Sequence, residues 1–208
     1  GDAATPKGVC TVVTARSPAT VSKIWRVVGG VARKEVAAEL TAGDLFTSEF
    51  GSLDEFGQLL SALGPSNCVI YGMPAPGAQH IITPEAWKKA GKPTDCISRT
   101  KDNFIWDATR PAILMLDHDP QPGMPEYTPD EVIGHLRAGV PCLADVDMLT
   151  IPSASSLIWN TGTDECVSGL KGFRIYVLVD HAPSIPALGK YIVDAMWAAG
   201  HGVYAVSV

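Results

Sequence analysis

Asp117 and Asp119 stand one residue apart at the end of an apolar run, in PAILMLDHDPQPG (residues 111–123). Side chains alternate along a strand, so the two carboxylates share a face roughly 6.5 Å apart, while His118 points the other way. Two bare carboxylates on one face repel each other unless a cation sits between them. Oxygen donors alone suit Mg²⁺ or Mn²⁺ better than zinc. The structural alternative is a solvated turn beginning at Asp119-Pro120. A second Asp-x-Asp, Asp145 and Asp147 in LADVDML, has no apolar strand before it and reads as structural.

A second stretch, SGLKGFRIYVLVD (168–180), feeds a Ser-Gly-x-Lys-Gly turn into a strand. Such a turn places backbone N–H groups, the Ser168 hydroxyl and the Lys171 ammonium together, a set able to hold phosphate oxygens. A plain hairpin loop has the same composition. Taken in order, a hydrophobic strand ending in Asp-x-Asp is followed roughly 50 residues later by Ser-Gly-x-basic-Gly-hydrophobic-x-hydrophobic-aromatic.

This order resembles the archaeo-eukaryotic primase (primase-polymerase) superfamily, of the mobile-element type. LDHDP is similar to its first motif, and SGLKGFRIYV to its second, with Arg174 where the family has histidine. The Ser-rich PSASS (152–156) is also similar to plasmid, phage and integrated-element members. The resemblance covers roughly residues 65–208. It implies an RRM-like palm and a template-dependent nucleotidyltransferase that joins nucleoside triphosphates on a single-stranded DNA template. It further implies Mg²⁺ or Mn²⁺ on Asp117 and Asp119, and phosphates cradled by Ser168, Lys171 and Arg174. Arginine keeps a phosphate contact through its fork but cannot titrate near neutral pH. The family's third motif, an acid on a later strand, is not matched by Asp180 or Asp194; it is expected beyond Val208, with a helicase domain or protein as a further partner. A module that keeps the fold and binds nucleic acid without the chemistry is the alternative.

The elements that must position these residues follow from periodicity and punctuation. Strands are expected at 8–15, 68–72, 112–117, 172–180 and 202–208, and helices after Ser52, over 83–91, 128–139 and 185–200. Ser52/Glu55 has capping-box spacing, and Thr83 and Thr128 each precede proline at the first helical position. Gly29-Gly30 marks a turn within an ambiguous segment running to about residue 50. Strands and helices mingle without strict alternation, which predicts an α+β fold: a mixed β-sheet core with flanking helices. The chain reads as a single domain over 1–208, with 65–208 as the motif-bearing core and 1–64 unplaced. With its closing strand at the last residue, it reads as part of a longer protein.

Composition narrows the class. Of 208 residues, 46% are hydrophobic and 18% charged, a globular balance. No apolar run approaches the roughly 20 residues of a membrane span. The five cysteines are scattered without a CxxC pair, against structural zinc or a disulfide framework and in keeping with a reducing cytoplasm. A net charge of −6 confines any nucleic-acid contact to a local patch, for which Arg99 and Lys101 in SRTKDNF are the candidates. The five tryptophans are expected in the core, and His80, His135, His181 and His201 share no spacing that suggests a common site. No G-x-S-x-G elbow supports a serine hydrolase.

Overall fold

The structure is a computed structural model that describes residues 6–35, 39–120 and 124–202. The fold is α+β, with a mixed sheet and few helices, and the chain forms two compact units. One comprises Gly1–Arg26, Arg33–Ile113 and Val179–Pro183; the other comprises Val27–Ala32, Leu114–Leu178 and Ser184–Val208.

The first unit is built on β1 (Gly8–Ser17), whose first six residues are all buried. Next in the chain come β2 (Ile24–Val28) and β3 (Val31–Glu35), a two-stranded ribbon turned by Gly29 and Gly30 at φ 60° and 79°. These positive angles explain the Gly-Gly pair, since a side chain would strain the turn. β4 (Ala42–Phe50) pairs antiparallel with β1 along its length. The helix α1 (Leu53–Ser61) opens on Ser52, whose hydroxyl accepts the Glu55 N–H. The Glu55 carboxylate accepts from Gly51 N–H, one residue before the position a capping box requires. Phe56 of α1 packs on Phe50 with ring centroids 5.0 Å apart.

β5 (Asn67–Ile70), β6 (Met73–Pro74), β7 (His80–Ile82), the short α2 (Pro84–Lys89), β8 (Cys96–Ser98) and β9 (Phe104–Ile105) complete this unit. The sheet order is β5-β1-β4-β7-β8, antiparallel except for the β7/β8 pair. One face carries a core of Val13, Leu45, Ile81 and Ile97. The other sets Thr14, Asp44 and His80 side by side by strand register. Asp44 accepts from Arg16 Nε at 2.7 Å and lies 2.8 Å from His80 Nδ1.

Burial pushes the Asp44 carboxyl upward, but the hydrogen bonds from Arg16 and His80 outweigh it and hold the group below its usual 3.8. A carboxylate depressed by folding contributes stability above its unfolded pKa, and that contribution is lost as pH falls through the folded value. Asp44→Asn should therefore flatten the acid-side loss of stability below about pH 4. Urea midpoints followed from about pH 6 to 3 check this; parallel curves for variant and wild type would remove Asp44 from the acid transition.

The second unit has its own three-stranded sheet. β10 (Ala112–His118) is followed by α3 (Pro129–Gly139), β11 (Leu149–Pro152), the ribbon of β12 (Ile158–Asn160) and β13 (Glu165–Ser168), β14 (Phe173–Val179) and α4 (Ile185–Ala198). α3 opens on a full capping box: Thr128 accepts from Glu131 N–H, and Glu131 accepts from Thr128 N–H. The sheet order is β10-β14-β11, so β14 lies between two strands joined through α3, a split β-α-β arrangement. β11 and β14 are antiparallel, with Ile151 opposite Arg174. α3 and α4 pack together, and Leu116 and Ile175 of the sheet line a cavity with Leu136, Ile192 and Val193 of these helices. From residue 203 on, the closing strand expected at 202–208 lies outside the described residues.

The tryptophan expectation is corrected: Trp106, Trp159 and Trp197 are exposed, and among the described residues the largest fully buried side chains are Phe50, Phe56 and Phe173. An indole N–H needs a partner when buried. Trp87, half-buried, has one in the Cys96 carbonyl at 2.8 Å. Among the described residues no helix is long and apolar enough to cross a membrane.

Candidate functional site

β10 starts after Pro111 and buries Ala112, Ile113 and Leu114 before its exposure rises toward Asp117. Pro120, lacking an N–H, follows directly on the second aspartate and limits further pairing. Both aspartates are exposed.

β14 lies alongside, and three contacts place it: Asp117 with Arg174, His118 with Phe173, and Asp119 with Gly172. One strand advances as the other retreats, so the two motifs meet end to end at one level of the sheet. Arg174 Nε donates to Asp117 Oδ1 at 3.2 Å. Their side chains are 43% and 50% exposed, so solvent screening limits the pair to about 0–1 kcal/mol of stability. The pair marks where the charges are and adds little to holding the fold.

On the opposite side of β10, His118 packs on Phe173 with centroids 4.6 Å apart and the rings tilted by 31°. Burial pushes its pKa down, against the smaller upward pull of Asp119 and Asp117, and its Nε2 is buried without a hydrogen-bond partner among the described residues. The two aspartates, His118, Tyr127, His135 and His201 border a cavity of about 290 Å³, near the small end of ligand-pocket sizes. Within this group His135 stacks on His201 at 4.1 Å and meets Tyr127 edge-on at 5.0 Å.

The phosphate-cradle residues fall differently. Ser168, at the end of β13, is buried and its hydroxyl donates to the Ser155 carbonyl at 3.3 Å. Lys171 is exposed. Its backbone N–H and that of Gly172 both donate to Ser156 Oγ at 3.0 Å, and Ser156 in turn donates to the Gly172 carbonyl at 2.7 Å. These two amides of the turn, read from sequence as phosphate donors, are therefore satisfied inside the protein. Ser156 is the residue the motif reading passed over. Its only sequence signal is membership of the Ser-rich PSASS. Asp145 and Asp147 are exposed beyond a short helical turn, and Arg99 and Lys101 are exposed near the end of β8 in the first unit.

For a divalent cation, the donors at the sheet end are the two carboxylates. Among the described residues, no group of three or more His, Cys, Asp or Glu side chains is arranged to hold a metal ion. Two carboxylates fit Mg²⁺, which typically takes one or two from the protein and fills its octahedron with water and substrate phosphates. They do not make a closed structural metal site. No family model matches the chain, and no curated protein or solved structure matches it.

Proposed function

We propose that the second unit is the palm of a primase-polymerase-type nucleotidyltransferase, acting on nucleoside triphosphates with a single-stranded DNA template. The observation that carries this reading is the Asp117–Arg174 hydrogen bond. It brings an acidic motif and a basic motif, 57 residues apart in the chain, onto one face of one sheet. The split β-α-β order of β10, β14 and β11 supports it, because an RRM-like palm has this connectivity.

In this reading Asp117 and Asp119 hold Mg²⁺ or Mn²⁺, which when bound neutralises triphosphate charge and activates the attacking 3′-hydroxyl. Arg174 would supply a positive fork for the β and γ phosphates beside the metal that Asp117 and Asp119 would hold. Lys171 adds a mobile point charge from the turn. A second reading is a nucleic-acid-binding module without catalysis. It is favoured by the same Asp117–Arg174 pair, in which the arginine supplies the countercharge a metal would otherwise bring.

Primer extension with an Arg174 series tests the reading. Wild type should incorporate labelled nucleotide with Mg²⁺ or Mn²⁺. Arg174→Ala should weaken triphosphate binding by about 1.5–3 kcal/mol, the scale of a lost charge-assisted hydrogen bond. Arg174→Lys should fall between. Arg174→His should match Lys near pH 6 and weaken above it as the imidazole loses its proton. Equal triphosphate affinity in all four proteins would remove Arg174 from the site, and triphosphate binding without any incorporation would favour the non-catalytic module.

A further inference from the structure

The ribbon of β2 and β3 is basic in a chain that is acidic overall. It runs through KIWRVVGGVARKE (residues 23–35), which holds Lys23, Arg26, Arg33 and Lys34 against the single acid Glu35. The segment carries +3 in a chain of net −6, so the remaining residues together carry −9. SRTKDNF, the other basic stretch, carries only +1, because Asp102 offsets one of its two cations. All four cations of the ribbon are exposed.

The turn decides which of them face each other. Gly29 and Gly30 both have positive φ and form a two-residue hairpin turn. Val28 then opposes Val31, Arg26 opposes Arg33 and Trp25 opposes Lys34. Ile24, Arg26, Val28, Val31 and Arg33 share one face by alternation, and all five are exposed. Like charges directly opposite each other across a ribbon are destabilising. Glu35 relieves one of the two arginines by accepting from Arg26 Nε. Lys23, Arg33 and Lys34 have no ion-pair partner among the described residues.

The shape of the element selects the anion that could supply the missing charge. A two-stranded ribbon is one of the few elements that the major groove of B-form DNA admits, with its width of roughly 12 Å. The deep, narrow major groove of an RNA duplex does not admit one. Phosphates lie along both walls of the groove, and cations that reach them release bound counterions, which drives association.

We propose that the β2–β3 ribbon is a duplex-DNA-binding surface that lies in the major groove, with Arg33 and Lys34 against the phosphates. This inference is independent of the nucleotidyltransferase reading, since it uses no residue at the sheet end that bears Asp117 and Asp119.

Fluorescence anisotropy of a short labelled DNA duplex, titrated with the full chain at several KCl concentrations, tests it. Wild type should bind the duplex more tightly than a single strand or an RNA duplex of the same length. The double variant Arg33→Gln, Lys34→Gln should bind about tenfold or more weakly at about 0.1 M salt, with a salt slope shallower by about two. Lys88→Gln with Lys89→Gln removes the same charge from exposed positions of α2 and should stay within about twofold of wild type. Arg33→Lys with Lys34→Arg keeps both charges and should retain affinity, which separates loss of charge from damage to the ribbon. Asp117→Asn with Asp119→Asn should bind the duplex as wild type does. Wild-type affinity in the Arg33/Lys34 glutamine variant, or an equal loss in the Lys88/Lys89 variant or the charge-keeping variant, overturns the proposal. So does a wild type that binds no duplex, or that binds the single strand or the RNA duplex as tightly. Primer extension is read separately, so each of these results leaves the nucleotidyltransferase reading intact.

Discussion

Replacing Asp117 and Asp119 together by asparagine should abolish Mn²⁺ binding and lower nucleotide incorporation by about a thousandfold or more. The fall exceeds the 10²–10³ measured for one preorganised electrostatic contact, because two are removed at once. Asparagine keeps the shape and one oxygen of each side chain but removes both charges, and a hard divalent cation needs the charge. Folding should survive. Both aspartates are exposed, and the Arg174 pair is worth at most about 1 kcal/mol. Neutralising two like charges on one face also relieves their repulsion. Asp117→Asn also removes the carboxylate to which Arg174 Nε donates at 3.2 Å. Isothermal titration with Mn²⁺ and a labelled-nucleotide assay measure both effects. Equal Mn²⁺ binding by double variant and wild type would end the metal reading of this pair.

How far the site could be read from sequence follows from the range of the interactions that build it. β10 was legible because Ala112–Leu114 form part of a buried run of strand length, and Pro120 punctuates its end. β14 was legible from Phe173–Val179, rich in β-branched and aromatic residues. The α3 cap was legible because Thr128 and Glu131 satisfy each other within one turn. β4 was not, since AGDLFTSEF mixes buried Leu45 and Phe50 with exposed Phe46 and shows no clean alternation. Its pairing with β1 is fixed by long-range register, which leaves no local signature. Ser156 was hidden for a related reason. A serine in a loop is unremarkable until the Gly172 carbonyl, 16 residues away, closes on its hydroxyl. The Ser-Gly-x-Lys-Gly composition therefore marked a turn, but the amides of Lys171 and Gly172 donate to Ser156 Oγ within the protein.

Phe173→Ala should destabilise the protein by about 3–5 kcal/mol, the usual cost of truncating a buried aromatic. Phe173 is fully buried and sits between Gly172, whose carbonyl accepts from Ser156, and Arg174, which reaches Asp117. Its ring also supports His118, packed 4.6 Å away at the end of the strand between the two aspartates. Against a total stability of about 5–15 kcal/mol, this loss is a large fraction. The cavity left behind would also remove the surface that holds the ends of β10 and β14 in register. Phe173→Leu fills much of that cavity and should recover part of the loss. Urea unfolding reads the effect as a lowered midpoint at unchanged slope. A fall of less than about 1 kcal/mol would mean that Phe173 does not anchor this end of the sheet. The positions of Asp117, Gly172 and Arg174 would then depend on strand pairing and on the hydrogen bonds of the Ser156 turn.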